Sequence, residues 1–160
     1  MKDKCLALLN SRGVEMDDLI EIVMLLQEQY IDGLDKEEIR TDIYEILDKR
    51  EVYHSIFTGI AIDVATEQKS LFDKELMGII RHDEGLYGVD EVLAYGICNL
   101  YGSIALTNFG YVDKTKPGII GILNDDPEHC HTFLDDIVGA IVASAASKLA
   151  HTHIRKEELI

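Results

Sequence analysis

The segment HTFLDDIVGAIVASAAS, His131 to Ser147, constrains the fold of this chain more than any other. From Ile137 to Ser147 it carries no charge, and apolar or small residues run all round its helical wheel. A helix apolar on every side belongs in an interior, with the rest of the chain packed about it. Gly139, Ala140, Ala143, Ala146 and Ser147 would let neighbouring helices approach closely. Yet Asp135 and Asp136 stand at its start. Buried carboxylates are tolerated only with a cation, a metal or strong hydrogen bonding. The pair therefore sits at a solvated helix end or belongs to a site.

The rest of the chain is helical in period nearly throughout. Residues 3–11 hold a short amphipathic turn or two, and a helix follows from about Met16 to Tyr30 with Leu19, Ile22, Val23 and Leu26 on one stripe. Asp35, with Glu38 three residues on, reads as a capping box for the next helix. The apolar phase resumes from Arg50 to about Lys69, with Asp63 beside the Ile60/Val64 face and expected to be partly buried. Ser70 reads as the cap of a helix through Ile80, and RHDEGLYG as a loop. Val89 to about Thr107 is helical in period, NFGYVDKTKPGII reads as a turn region leading into a short helix, and the last helix as roughly Thr132 to His151. Strand signals are scarce. The reading is an all-α bundle of about six to eight helices around a central C-terminal helix. It forms one domain over residues 1–160, of which 1–49 read as an N-terminal helical extension suited to partner or self-association.

Thirty acidic against fifteen basic residues leave a formal charge of −15. That balance excludes the basic patch nucleic acid requires, and unaided adsorption to an anionic membrane. A phosphorylated ligand would need a divalent cation as a bridge. Cys5, Cys98 and Cys130 are widely spaced, with no disulfide or zinc pattern, and read as reduced thiols of a cytoplasmic protein. The apolar run of MKDKCLALLNSRG is too short for a secretion signal. No stretch reaches about 18 strongly apolar residues undiluted by Gly, Ser or Asn, so no membrane span is expected.

Three acidic clusters border apolar sequence: Asp90-Glu91, Asp113 with Lys116 and Pro117, and Asp135-Asp136. Hard cations such as Mg²⁺ take oxygen ligands, and Lys116 could meet a phosphate as a point charge. Each cluster also has a plain reading. Thr132 and Asp135 have capping-box spacing, Asp90-Glu91 suits a helix start, and Asp113 suits a charged loop. His129-Cys130-His131 offers transition-metal ligands without a second cluster at ligand spacing. No P-loop, cysteine-phosphatase loop or serine elbow occurs, which leaves metal-assisted chemistry by carboxylates.

The segments YGVDEVLAYG, NFGYVDKTKPGII and HTFLDDIVGAIVA, in that order, resemble the phosphatidylglycerophosphatase A family. The resemblance is to its short Gram-positive branch, sometimes labelled low-temperature-requirement C, over most of the chain, and to membrane-bound members over roughly residues 88–142. The family's motifs fall on Asp90 and Glu91, on Asp113, Lys116 and Pro117, and on Asp135, Asp136, Ile137 and Val138. Gly110 stands where membrane-bound members often carry arginine, and Thr58-Gly59 is a faint echo of their N-terminal small-residue signature.

The resemblance implies Mg²⁺-dependent removal of the terminal phosphate from phosphatidylglycerophosphate. Asp90, Glu91, Asp113, Asp135 and Asp136 would hold metal and orient a water, with Asp113, Asp135 and Asp136 as the catalytic acids and Lys116 as the phosphate ligand. The implied partner is a phosphorylated lipid head group or small phosphomonoester, met with at most peripheral membrane contact, and a second copy of the chain is a further candidate partner. The alternative is a catalytically silent all-α binding or assembly protein whose paired acids are helix caps.

Overall fold

The computed structural model describes residues 1–159. Among them are nine α-helices and no strand: α1 (Lys2–Ser11), α2 (Met16–Gln27), α3 (Lys36–Leu47), α4 (Arg50–Glu67), α5 (Lys74–Arg81), α6 (Val89–Cys98), α7 (Ser103–Thr115), α8 (Ile119–Asn124) and α9 (Leu134–Glu158). The all-α reading holds. The count exceeds the expected range because the stretch read as continuous from Val89 to Thr107 is two helices. Gly102, at φ 87°, turns the chain between them, a conformation costly for any residue with a Cβ.

Helix α9 is the axis. Every residue from Leu134 to Ser147 is buried, and α2, α3, α4, α6, α7 and α8 all pack against it. The N-terminal helices α2 and α3 thus share the core of the remainder. Among helices of 18 residues or more, α9 is long and apolar enough to cross a membrane by length and composition, contrary to the expectation of no such segment. Its apolar surface is instead covered by its neighbours. It also continues seven residues beyond the expected end at His151, so His151 and His153 lie within the helix rather than at its terminus.

Lys148 interrupts the apolar run of α9 and ion-pairs with buried Asp42 and with Glu45 of α3, which ties the two helices at one height. Local caps set other boundaries. Asp35 accepts the Glu37 amide (2.9 Å), whereas Glu38, expected to close the capping box, reaches His153 at 3.4 Å. Asp73, not Ser70, caps α5 by accepting the Leu76 amide at 2.8 Å. Cys5, Cys98 and Cys130 are free and buried.

Candidate functional site: a carboxylate cleft at the start of the central helix

The start of α9 is capped chiefly from another helix. Thr132, expected to cap it, donates its hydroxyl to the Ile80 carbonyl at 2.6 Å. The orphan amides are met from α4 instead: Asp63 accepts the Phe133 amide at 3.1 and 3.2 Å and the Leu134 amide at 3.0 Å. Asp63 was expected to be partly buried and is 0% exposed. Burial raises its pKa to about 7 against the lowering effect of those amides, of the Cys130 thiol and of Arg12. One turn along α4, Glu67 accepts the Cys130 amide (2.8 Å) and pairs with Arg12, which donates to the Cys130 carbonyl (3.0 Å). Asp135 adds one cap of its own, its Oδ1 accepting the Asp136 amide at 2.9 Å, and keeps Oδ2 for Lys116.

The pair faces a cluster. Lys116 Nζ lies 2.9 Å from Asp113 Oδ1, 2.9 Å from Asp135 Oδ2 and 3.9 Å from Asp136 Oδ1. Asp113, expected on a loop, is on the last turn of α7, because Phe109 and Val112 bury a helical stripe through NFGYVDKT. Lys116, at φ 48° and ψ 55°, ends that helix in the left-handed conformation, the turn from which its side chain reaches back between Asp113 and Asp135. Asp90 lies buried in the first turn of α6 with no capping role, and its Oδ1 has no hydrogen-bond partner. Glu91, beside it, is half-buried.

The electrostatics show what the cluster lacks. Burial raises the Asp136 pKa far above the carboxylate range, and Asp135, Asp90 and Asp113 raise it further. Asp90 and Asp135 are also raised, chiefly by burial, with Asp83 adding to each. Burial pulls Lys116 down, but Asp135 and Asp113 more than reverse this and hold it firmly charged. One ammonium thus serves several closely set carboxylates, and the donor atoms are all oxygen. Such a set suits a hard divalent cation, and the unpartnered oxygen of Asp90 is the kind of orphan such an ion satisfies.

All six predicted site residues fall in this region, with Asp90, Asp113, Lys116, Asp135 and Asp136 brought together. Asp83 joins them and was missed, because RHDEGLYG carries no signal beyond a loop; it sits at φ 49° after α5. A small cavity of about 70 Å³, lined by Arg81, Asp83, Asp126, His129 and His131, reaches the cluster only at Asp135 and Asp83. Asp126, outside the predicted set, completes a group with His129 and His131 whose ligand atoms lie within 4.8 Å of one another, close enough to share an ion. Asp126 Oδ2 is 2.8 Å from His129 Nδ1 and 3.1 Å from His131 Nε2. Arg12 Nη2, however, lies 3.3 Å from His131 Nδ1. A metal-bound imidazole needs an acceptor on its far nitrogen, and this one meets a donor. As it stands, the network assigns the His131 proton to Nε2, pointing at Asp126.

The family model of phosphatidylglycerophosphatase A matches residues 11–151. The chain is 52% identical to the uncharacterized protein YutG of Bacillus subtilis over 152 residues, 94% of this chain and 91% of that one. The low temperature requirement C protein of Listeria monocytogenes superposes with a TM-score of 0.91 at 52% identity, over 95% of this chain and 96% of that one. The protein ypjQ of Bacillus subtilis does so with a TM-score of 0.91 at 47% identity, over 96% and 95%. A match that runs from the first interhelical turn to the far half of the central helix takes in every acid of the cleft, and the chain belongs to the phosphatidylglycerophosphatase A family.

Proposed function

We propose that this protein is a Mg²⁺-dependent phosphomonoesterase that hydrolyses phosphatidylglycerophosphate to phosphatidylglycerol and phosphate. The observation that supports it best is the gathering of Asp90, Asp113, Asp135 and Asp136 about one lysine, with a buried carboxylate oxygen left unpartnered. Family membership supplies the phosphoester and the lipid.

In this reading Asp90, Glu91, Asp113, Asp135 and Asp136 hold the cation. A hard divalent ion so bound neutralises phosphoryl charge and makes water a better nucleophile at neutral pH. Lys116 exchanges a carboxylate contact for a phosphoryl oxygen and steadies it as a point charge. One of the cluster's carboxylates would take the proton from the attacking water. A lipid head group would reach the cleft from a membrane surface, so the protein acts from the cytoplasm in peripheral contact.

The test is phosphate release from phosphatidylglycerophosphate and from soluble glycerol phosphates, with Mg²⁺ and with chelator. Chelator-sensitive release that disappears in Asp136→Asn is the expected result. Equal turnover of soluble esters would remove the lipid from the proposal, and no release from either would remove the phosphatase.

A further inference from the structure

Resting on the reading above, we infer that Asp63 is a positioning residue for the cleft, holding the first turn of α9 in the register that presents Asp135 and Asp136. Asp63 never reaches the cleft itself. Its two oxygens accept the amides of Phe133 and Leu134, the residues immediately before the acidic pair. The partners lie 70 and 71 residues away in sequence, so this contact fixes α4 against α9.

Three further contacts hold the same short segment. Glu67 accepts the Cys130 amide, Arg12 donates to the Cys130 carbonyl, and Thr132 donates to the Ile80 carbonyl. Backbone polar groups at Cys130, Phe133 and Leu134 are therefore pinned by acids one turn apart on α4. Gly59, one turn earlier on α4, allows a close approach, since a Cβ there would meet Ile137 Cδ1 and lie 3.1 Å from Phe133 Cβ. A fully buried carboxylate is costly wherever an ordinary Ser, Thr or Asn cap would serve. What it adds here is a two-point anchor: both oxygens accept backbone amides at the start of α9. An amide in its place accepts through one atom and presses N–H groups against N–H groups through the other.

Support of this kind around metal ligands is worth roughly 10–100-fold in metal affinity. The experiment compares wild type, Asp63→Asn, Glu67→Gln and Asp136→Asn, with Mn²⁺ as the probe. Mn²⁺ affinity is taken from titration, the bound ion's environment from its EPR spectrum, and backbone exchange from hydrogen–deuterium measurements. Asp63→Asn is expected to keep the wild-type helix content, lose at least about tenfold in Mn²⁺ affinity, and show a broadened EPR spectrum at saturating Mn²⁺. Exchange at the Phe133 and Leu134 amides should rise selectively. Should Asp63→Asn not fold, Glu67→Gln decides, because it loosens the same segment from a partly exposed position. A weaker but same-direction change in affinity and spectrum supports the inference. Wild-type affinity and spectrum in every folded α4 variant would overturn it while leaving the phosphatase reading intact. Absence of Mn²⁺ binding in wild type would overturn both.

Discussion

At the scale of single residues, the site is a balance between burial and charge. Asp136 has its pKa raised in the fold, so the folded state binds its proton more readily than the unfolded chain does. From the ordinary carboxylate range upward, this residue's contribution to stability falls as pH rises, and its cost is fully present only above the raised value. Asp136→Asn should therefore flatten the loss of melting temperature of the metal-free protein between pH 5 and pH 8. The effect should be at least about 1 kcal/mol, roughly the worth of one pKa unit, or ~2–4 °C for a chain of this size. Melting curves across that range with chelator check it; a steeper slope in the variant would contradict it. Lys116→Met removes the only cation paired with Asp113 and Asp135 among the described residues. It should lower metal-free stability by ~1–3 kcal/mol, and, by taking away the proposed phosphate contact, raise KM more than it lowers kcat. Denaturant unfolding and steady-state kinetics separate the two effects.

At the scale of elements, what matters is how closely α9 is approached. Gly59→Ala places a Cβ that overlaps Ile137 Cδ1 and lies 3.1 Å from Phe133 Cβ. We expect a loss of about 1–3 kcal/mol, the usual range for overpacking, together with weaker metal binding because the first turn of α9 must shift. Lys148→Met should cost a similar ~1–3 kcal/mol by leaving buried Asp42 unpaired, and adding Asp42→Asn should recover part of it. Chemical denaturation of the single and double variants measures the coupling.

The helices themselves were largely legible, because Leu19, Ile22, Val23 and Leu26, or Ile39, Ile43, Ile46 and Leu47, mark their buried faces by spacing alone. Asp113 was misplaced onto a loop because Gly110 and the lysines masked the shorter Phe109–Val112 stripe. The Thr132 cap was misread for a different reason. Capping patterns are local, and the true cap comes from Asp63 on another helix, where no spacing rule reaches. Asp83 was illegible because a loop acid gains its meaning only from what the fold sets opposite it.

At the scale of the molecule, an apolar helix serves both as the core and as the platform for the chemistry. Its middle is covered by six helices, while its first turn, held by α4, lies with Lys116 of the α7–α8 connection and the start of α6 in one acidic cluster. The net charge of −15 is then no obstacle to a phosphorylated substrate, provided a cation mediates. A cation that binds only the folded protein should raise the melting temperature in proportion to the logarithm of its concentration once above its Kd. The most direct test of the central claim is anomalous diffraction from crystals soaked in Mn²⁺. An ion among Asp90, Asp113, Asp135 and Asp136 is expected in wild type, and none there in Asp136→Asn. An ion found only between Asp126, His129 and His131, or no ion at all, would contradict it.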